Sequence, residues 1–194
     1  PLGLTGYYGT FGPELSFAHA LASKEKGNIA IAKFTHSGSQ IIDWTPEGSE
    51  AESRNLYPKF TAFIKEAIRE LKSKGNKVIL AGIFYHLGEN DMSFHPYRKD
   101  AAKRLQAIVK QCRKDLGMPK LKWFVSQQPP TDHERVNHID VTGSIKKLAA
   151  GDKNLIHLKA FDLPGREKKL VIRTKGIVEL GELMALNYLK QRNQ

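Results

Sequence analysis

Apolar positions in this chain recur with a helical period in some stretches and run together in others. Between Pro58 and Lys74, the residues Phe60, Phe63, Ile64, Ala67, Ile68 and Leu71 repeat at three- and four-residue spacing, which predicts a helix with one buried stripe. Gly75-Asn76 ends it, since glycine suits the turn that follows a last helical residue. Tyr97 to Leu116 follows the same period and stops at Gly117, with Pro119 just beyond. Gly12-Pro13-Glu14 opens an earlier helix, Leu15 to about Lys26, with proline in its first turn and an acid at its positive end. Asp132 to about Ala150 reads as a helix weakened in its middle by Val141-Thr142-Gly143. Thr174 caps a final helix, Lys175 to Arg192, with a stripe of Ile177, Leu180, Leu183, Met184, Leu186 and Leu189.

Short apolar runs separate these helices: Asn28 to Phe34, Val78 to Phe84, Leu121 to Ser126 and Leu155 to Phe161. Val78 to Phe84 is apolar throughout, as a strand buried on both faces of a parallel sheet would be. Strict alternation of helix and strand predicts a doubly wound α/β domain, and 194 residues are most simply one such domain, spanning 1–194. The pattern begins with a helix, whereas such domains begin with a strand that is central in the flavodoxin-like order. Four strands alone would leave unpaired backbone groups in mid-sheet. A further segment is therefore expected to fill the gap or to precede Pro1.

Composition changes this picture little. The net charge of +11 makes anionic partners plausible. The bases are interleaved with acids, however. Lys65, Arg69, Lys72 and Lys74 alternate with Glu66 and Glu70, while Arg98, Lys99, Lys103, Arg104, Lys110, Arg113 and Lys114 accompany Asp100 and Asp115. That is the pattern of solvated helix faces laced with ion pairs. With no basic block interleaved with aromatics, no specific nucleic-acid partner is expected, and a polyanion-binding interaction module is the outlying alternative. The single Cys112 excludes a disulfide framework and a cysteine zinc site, and its place within a helix argues against a nucleophile. No apolar run approaches the roughly 18 residues of a spanning helix, so no membrane insertion is expected. The first nine residues do not read as a signal peptide and lack an initiator Met, so they do not reveal a compartment.

In doubly wound folds, ligands bind beyond the carboxyl ends of the strands. Four loops qualify: Thr35 to Trp44, Tyr85 to Pro96, Gln127 to His133, and Asp162 to Thr174. In Thr35-His36-Ser37-Gly38-Ser39-Gln40, the glycine would let a ligand oxygen approach a backbone N–H, although a simple turn uses the same residues. In Tyr85-His86-Leu87-Gly88-Glu89-Asn90-Asp91-Met92, four groups able to move protons or donate hydrogen bonds crowd one strand end, more than a turn requires. His95 and His133 are further candidate bases, whereas His19 and His157, inside regular elements, are expected to be packed. Trp44 and Tyr57 would either stack on a sugar or anchor the long loop.

Four segments carry a family resemblance, in the right order. They are Gly12-Pro13-Glu14-Leu15-Ser16-Phe17, Lys33-Phe34-Thr35-His36-Ser37-Gly38-Ser39 with Asp43-Trp44, Phe84 to Asp91, and Thr174-Lys175-Gly176-Ile177-Val178-Glu179-Leu180-Gly181. Together the chain resembles the sialate O-acetylesterase-like carbohydrate esterases, a branch of the SGNH (GDSL-like) hydrolases. The resemblance implies a three-layer α/β/α, flavodoxin-like fold with a parallel sheet, and removal of acetyl esters from sugars by a serine mechanism without metal or other cofactor. It implies a small-molecule or glycan ester as partner, and a secreted or periplasmic location. It makes Gly38, with Ser37 and Gln40 beside it, the oxyanion and substrate-binding turn, and Asn90 the amide donor. It makes Glu89 the acid that orients the base, with His86 and Asp91 in the same catalytic block. The family's His-Gln-Gly-Glu here reads His86-Leu87-Gly88-Glu89. The family's Gly-x-Ser nucleophile motif occurs nowhere in these residues, Val171 stands at the base-histidine position, and Lys168 at the usual aspartate. His36, His86, His95 and His133 are then the candidate bases. A catalytically degenerate relative that keeps a carbohydrate-binding cleft is the alternative.

Overall fold

The structure, a computed structural model, describes residues 11–49, 54–129, 134–159 and 172–192. Its class is mixed α/β with a parallel sheet. The elements are α1 (Glu14–Ala22), a 3-10 helix (Ile41–Trp44), α2 (Leu56–Ser73), β1 (Ile83–Leu87), α3 (Glu89–Ser93), α4 (His95–Asp115), β2 (Trp123–Gln127), α5 (Val141–Gly151), β3 (Leu155–His157) and α6 (Thr174–Arg192). The chain divides into two compact units, residues 34–162 and residues 1–33 with 163–194.

The first unit holds the sheet, in the order β1-β2-β3. Ile83 to Leu87 pairs in parallel with Trp123 to Gln127, and Trp123 to Val125 with Leu155 to His157. Side chains alternate between the two faces of a strand. Ile83, Leu87, Trp123, Val125 and Leu155 therefore share a face, and they join one core with Tyr57 and Ile64 of α2, Leu105, Ile108 and Cys112 of α4, and Val141 and Ile145 of α5. On the other face Phe84 stacks on Phe124, with ring centroids 4.5 Å apart. Burial pushes the Cys112 thiol up to about 12, so it is an inert packing residue.

Two strand expectations are corrected. Asn28 to Lys33, read as a strand, is not paired with any described strand and lies in the other unit, where Ile29 and Ile31 are 39% exposed. Val78 to Gly82, read as doubly buried, lies outside the sheet, with Ile79 78% exposed. The physical reason is pairing. The β1–β2 ladder opens where Ile83 meets Trp123, and an apolar run with no neighbour to hydrogen-bond cannot be a strand. Of the run Leu155 to Phe161, residues 155–157 form the strand, and residues 160 and 161 lie outside the described residues.

Helix boundaries shift in two places. The weak middle expected at Val141-Thr142-Gly143 is instead the first turn of α5, because the Asp140 side chain caps it by accepting the Gly143 N–H at 2.7 Å. In the second unit, α1 stops at Ala22 rather than near Lys26. There α6 and α1 touch through Gly181, where an added Cβ would fall on Pro13 O, Ser16 Oγ and the Phe17 nitrogen. The buried side of α6 is thus Gly176, Leu180, Gly181, Met184 and Ala185, and Leu186, expected in the stripe, is half exposed. Lys33 pairs with Glu14 at 2.7 Å within the same unit.

The charged helix faces are partly as expected. Arg69 pairs with Glu66 and Lys74 with Glu70 on α2, and Arg104 with Asp100 on α4. Arg98 and Arg113 are corrections to the solvated reading. Arg98 is buried and donates to the Ile139 and Met92 carbonyls at 3.0 and 3.2 Å. Arg113 donates to the Leu121 and Asn154 carbonyls and pairs with Asp152, tying α4 to the β3 entrance. Among the described residues, no helix is long and apolar enough to cross a membrane.

Candidate functional site

The carboxyl end of β1 carries Gly88 and then the one-and-a-half-turn helix α3, which begins at Glu89. Directly beside it runs the turn that precedes the 3-10 helix. Gly38 is in the left-handed conformation (φ 66°), with open space where a side chain would be. Only glycine adopts this freely, so the turn is written into the sequence at this position. The Asn90 side-chain amide donates to the Gly38 carbonyl at 3.4 Å. The two loops that sequence singled out therefore meet, and Gly38 and Asn90 are neighbours across 52 positions of chain.

Beneath them lie two buried carboxylates. Asp91, 3% exposed, accepts the Ile41 N–H on both oxygens, at 2.9 and 3.1 Å. Asp43, 1% exposed, accepts the Gln40 N–H at 2.9 Å and pairs with Arg54 at 2.9 Å. The same Arg54 guanidinium donates to the Gly38 carbonyl and, at 3.4 Å, to Gln40 Oε1. Burial raises the Asp91 carboxyl to about 7, helped by the charges of Asp43 and Glu89 and opposed by the Ile41 N–H and Arg104. Burial and the same two aspartates hold the Tyr85 phenol well above its usual range.

Ser37 offers its carbonyl to His36 Nδ1 at 3.0 Å. A carbonyl only accepts, so Nδ1 of this half-buried ring carries a proton. Ser39 Oγ donates to the His36 carbonyl at 2.9 Å and accepts the Trp44 indole N–H at 3.1 Å. Trp44 meets Phe34, Phe60 and Tyr85 edge to face, and Tyr57 is buried with its hydroxyl on Asp115 at 2.6 Å. Both aromatics are thus packing anchors.

His86 behaves differently from His36. Its Nδ1 is 2.7 Å from the hydroxyl of the fully buried Ser126, and its Nε2 is screened from solvent with no partner among the described residues. Burial lowers its pKa to about 4, so the ring is neutral at physiological pH. His95 is exposed and faces His138, ring centroids 6.0 Å apart. His19, expected to be packed, is exposed on α1. His133, Lys168 and Val171 lie outside the described residues. Among the described residues, no three His, Cys, Asp or Glu side chains converge as metal ligands would.

Sequence reading missed three contributors at this rim. Asp43 drew notice only as a motif letter, and Arg54 sits in a polar loop where nothing marks its reach. Gln127, fully buried at the carboxyl end of β2, donates to Thr142 Oγ1 at 3.3 Å and holds His157 Nε2 at 2.8 Å. Burial lowers the His157 pKa, with Lys146 and Lys159 adding to the effect. The signal for Gln127 was a polar amide closing an apolar strand.

Comparison with known proteins yields two findings. A family model described as carbohydrate esterase, sialic acid-specific acetylesterase, matches residues 5–190. A solved protein from Arabidopsis thaliana superposes with a TM-score of 0.70 at 21% sequence identity, covering 96% of this chain and 71% of that one. A search of curated proteins gave no match.

Proposed function

Because the chain belongs to the sialic acid-specific acetylesterase family of carbohydrate esterases, we propose that it is a carbohydrate O-acetylesterase-like hydrolase that removes acetyl esters from sugars by a serine-esterase mechanism. The observation that carries this reading is the juxtaposition of Gly38 and Asn90, linked at 3.4 Å beside the end of β1. The family's nucleophilic serine belongs to a Gly-x-Ser motif that these residues do not contain; when such a serine oxygen attacks an acetyl carbonyl, that carbonyl oxygen becomes an anion. The Gly38 N–H and the Asn90 amide are two donors in adjacent loops, and donors preorganised for such an anion are commonly the largest single contribution to catalysis. The absence of a side chain at Gly38 lets the acyl group approach the peptide.

Within this reading Glu89 is the acidic partner at the cleft. His36 is the proposed base, since its Nδ1–H is fixed on Ser37 O in the loop that carries Gly38. His86 and Asp91, both withdrawn from solvent, act through their neighbours rather than on substrate. A second reading, a degenerate relative that binds acetylated sugars without cleaving them, is favoured by Val171 and Lys168 at the positions where the family has its base and its acid. Acetate release from p-nitrophenyl acetate and from an O-acetylated sugar separates the two. Turnover supports the esterase. Sugar binding without acetate release supports the degenerate relative.

A further inference from the structure

Asp91, Asp43 and Arg54 all bond within the Gly38 turn and the residues that follow it. Two successive backbone N–H groups, of Gln40 and Ile41, are captured by two different carboxylates, at 2.9 Å to Asp43 and at 2.9 and 3.1 Å to Asp91. Ile41 itself is fully buried in the core, so the point that Asp91 grips is anchored. Arg54 ties Asp43 to the Gly38 carbonyl. A turn of this length closes readily through backbone hydrogen bonds alone. Burying two carboxylates within one turn is costly unless each is paired, and here every pairing converges on residues 38–43.

We infer that Asp91, Asp43 and Arg54 are positioning residues that form one electrostatic clasp on the Gly38 turn, so that the ionisation of Asp91 regulates how firmly the Gly38 peptide is held against Asn90. The charged groups that face Asp91 are Asp43 on the 3-10 helix, Glu89 on its own helix, Arg104 on α4 and, from β1, the Tyr85 phenol. The two acids disfavour the carboxylate and Arg104 favours it. The carboxylate makes a charge-assisted bond to Ile41 N–H, and the neutral acid makes a weaker one. Burial outweighs this bond in setting the Asp91 midpoint, so the clasp is firmest with Asp91 neutral and slackens as pH rises towards that midpoint. The purpose of the turn rests on the esterase reading, but the clasp does not require turnover.

The test is a pH titration of the full chain by amide NMR, with hydrogen exchange read at the same residues. The Ile41 amide proton shift should follow a single titration with its midpoint near 7, the value to which burial brings Asp91. Asp91→Asn should abolish that titration. In the native chain, exchange of the Ile41 amide, corrected for its intrinsic pH dependence, should speed up about tenfold as pH rises towards that midpoint, and Asp91→Asn should remove the acceleration. Asp43→Asn should speed exchange at Gln40 by a comparable factor and leave the Ile41 titration in place, with its midpoint lowered by removal of a like charge. An Ile41 shift that is flat between pH 5 and 9 overturns the inference with no variant needed. Unchanged exchange in both variants overturns it as well. Absence of acetate release together with an intact Ile41 titration counts against the esterase reading alone.

Discussion

At the scale of single residues, burial decides which groups can work at neutral pH. Asp91 and His86 illustrate opposite signs of one effect. The folded Asp91 holds its proton up to about 7, against an ordinary 3.8. Between those values the unfolded chain has released a proton that the folded chain keeps, so stability from this group falls as pH rises from 4 to 7. The folded His86 stays neutral down to about 4, against an ordinary 6.5. There the unfolded chain binds the extra proton, and stability rises as pH climbs from 4 to 6.5. Each contribution is on the order of 3 kcal/mol, and they nearly cancel. Relative to the native chain, urea titrations over this window should therefore show stability rising more steeply with pH for Asp91→Asn and less steeply for His86→Gln. Gly38→Ala tests the turn itself. Nothing crowds the position, so its cost is the left-handed backbone alone, about 1–2 kcal/mol in denaturant unfolding.

At the scale of elements, the sequence was legible where the information is local. The period of Phe60, Phe63, Ile64 and Ile68 placed α2 within two residues of its ends, and α4 and α6 read equally well. Strands depend on partners elsewhere in the chain, and there the reading broke down. Val78 to Gly82 has the composition of a buried strand, yet the ladder opens at Ile83, because that is where β2 offers a partner. Asn28 to Lys33 has the same composition and no described partner at all. The candidate site divides in the same way. Gly38 and the Glu89 to Asp91 cluster could be read because turn glycines and clustered acids are local signals. Asp43 and Arg54 were missed because their importance lies in what they reach: the Gln40 N–H and the Gly38 carbonyl. Packing of α6 on α1 gives a prediction at this scale. Alanine normally stabilises an exposed helix by about 1 kcal/mol relative to glycine. Gly181→Ala should instead destabilise by about 1–3 kcal/mol in urea unfolding, since its methyl would meet the α1 backbone.

At the scale of the whole molecule, the bases behind the charge of +11 are interleaved with acids along α2 and α4. Its visible ion pairs, Arg69 with Glu66 and Lys74 with Glu70, are exposed and screened by solvent, so they contribute little to stability. The proposed function rests on the rim where the Gly38 turn meets α3. The chain belongs to the sialic acid-specific acetylesterase family, and at this rim the Asn90 amide meets the Gly38 carbonyl. The most direct measurement compares steady-state acetate release by the native chain and by Asn90→Ala, with amide spectra confirming that both are folded. The account predicts a fall in kcat of about 10²–10³ with KM little changed, as expected when one oxyanion donor is removed. An Asn90→Ala protein that turns over at the native rate would contradict it.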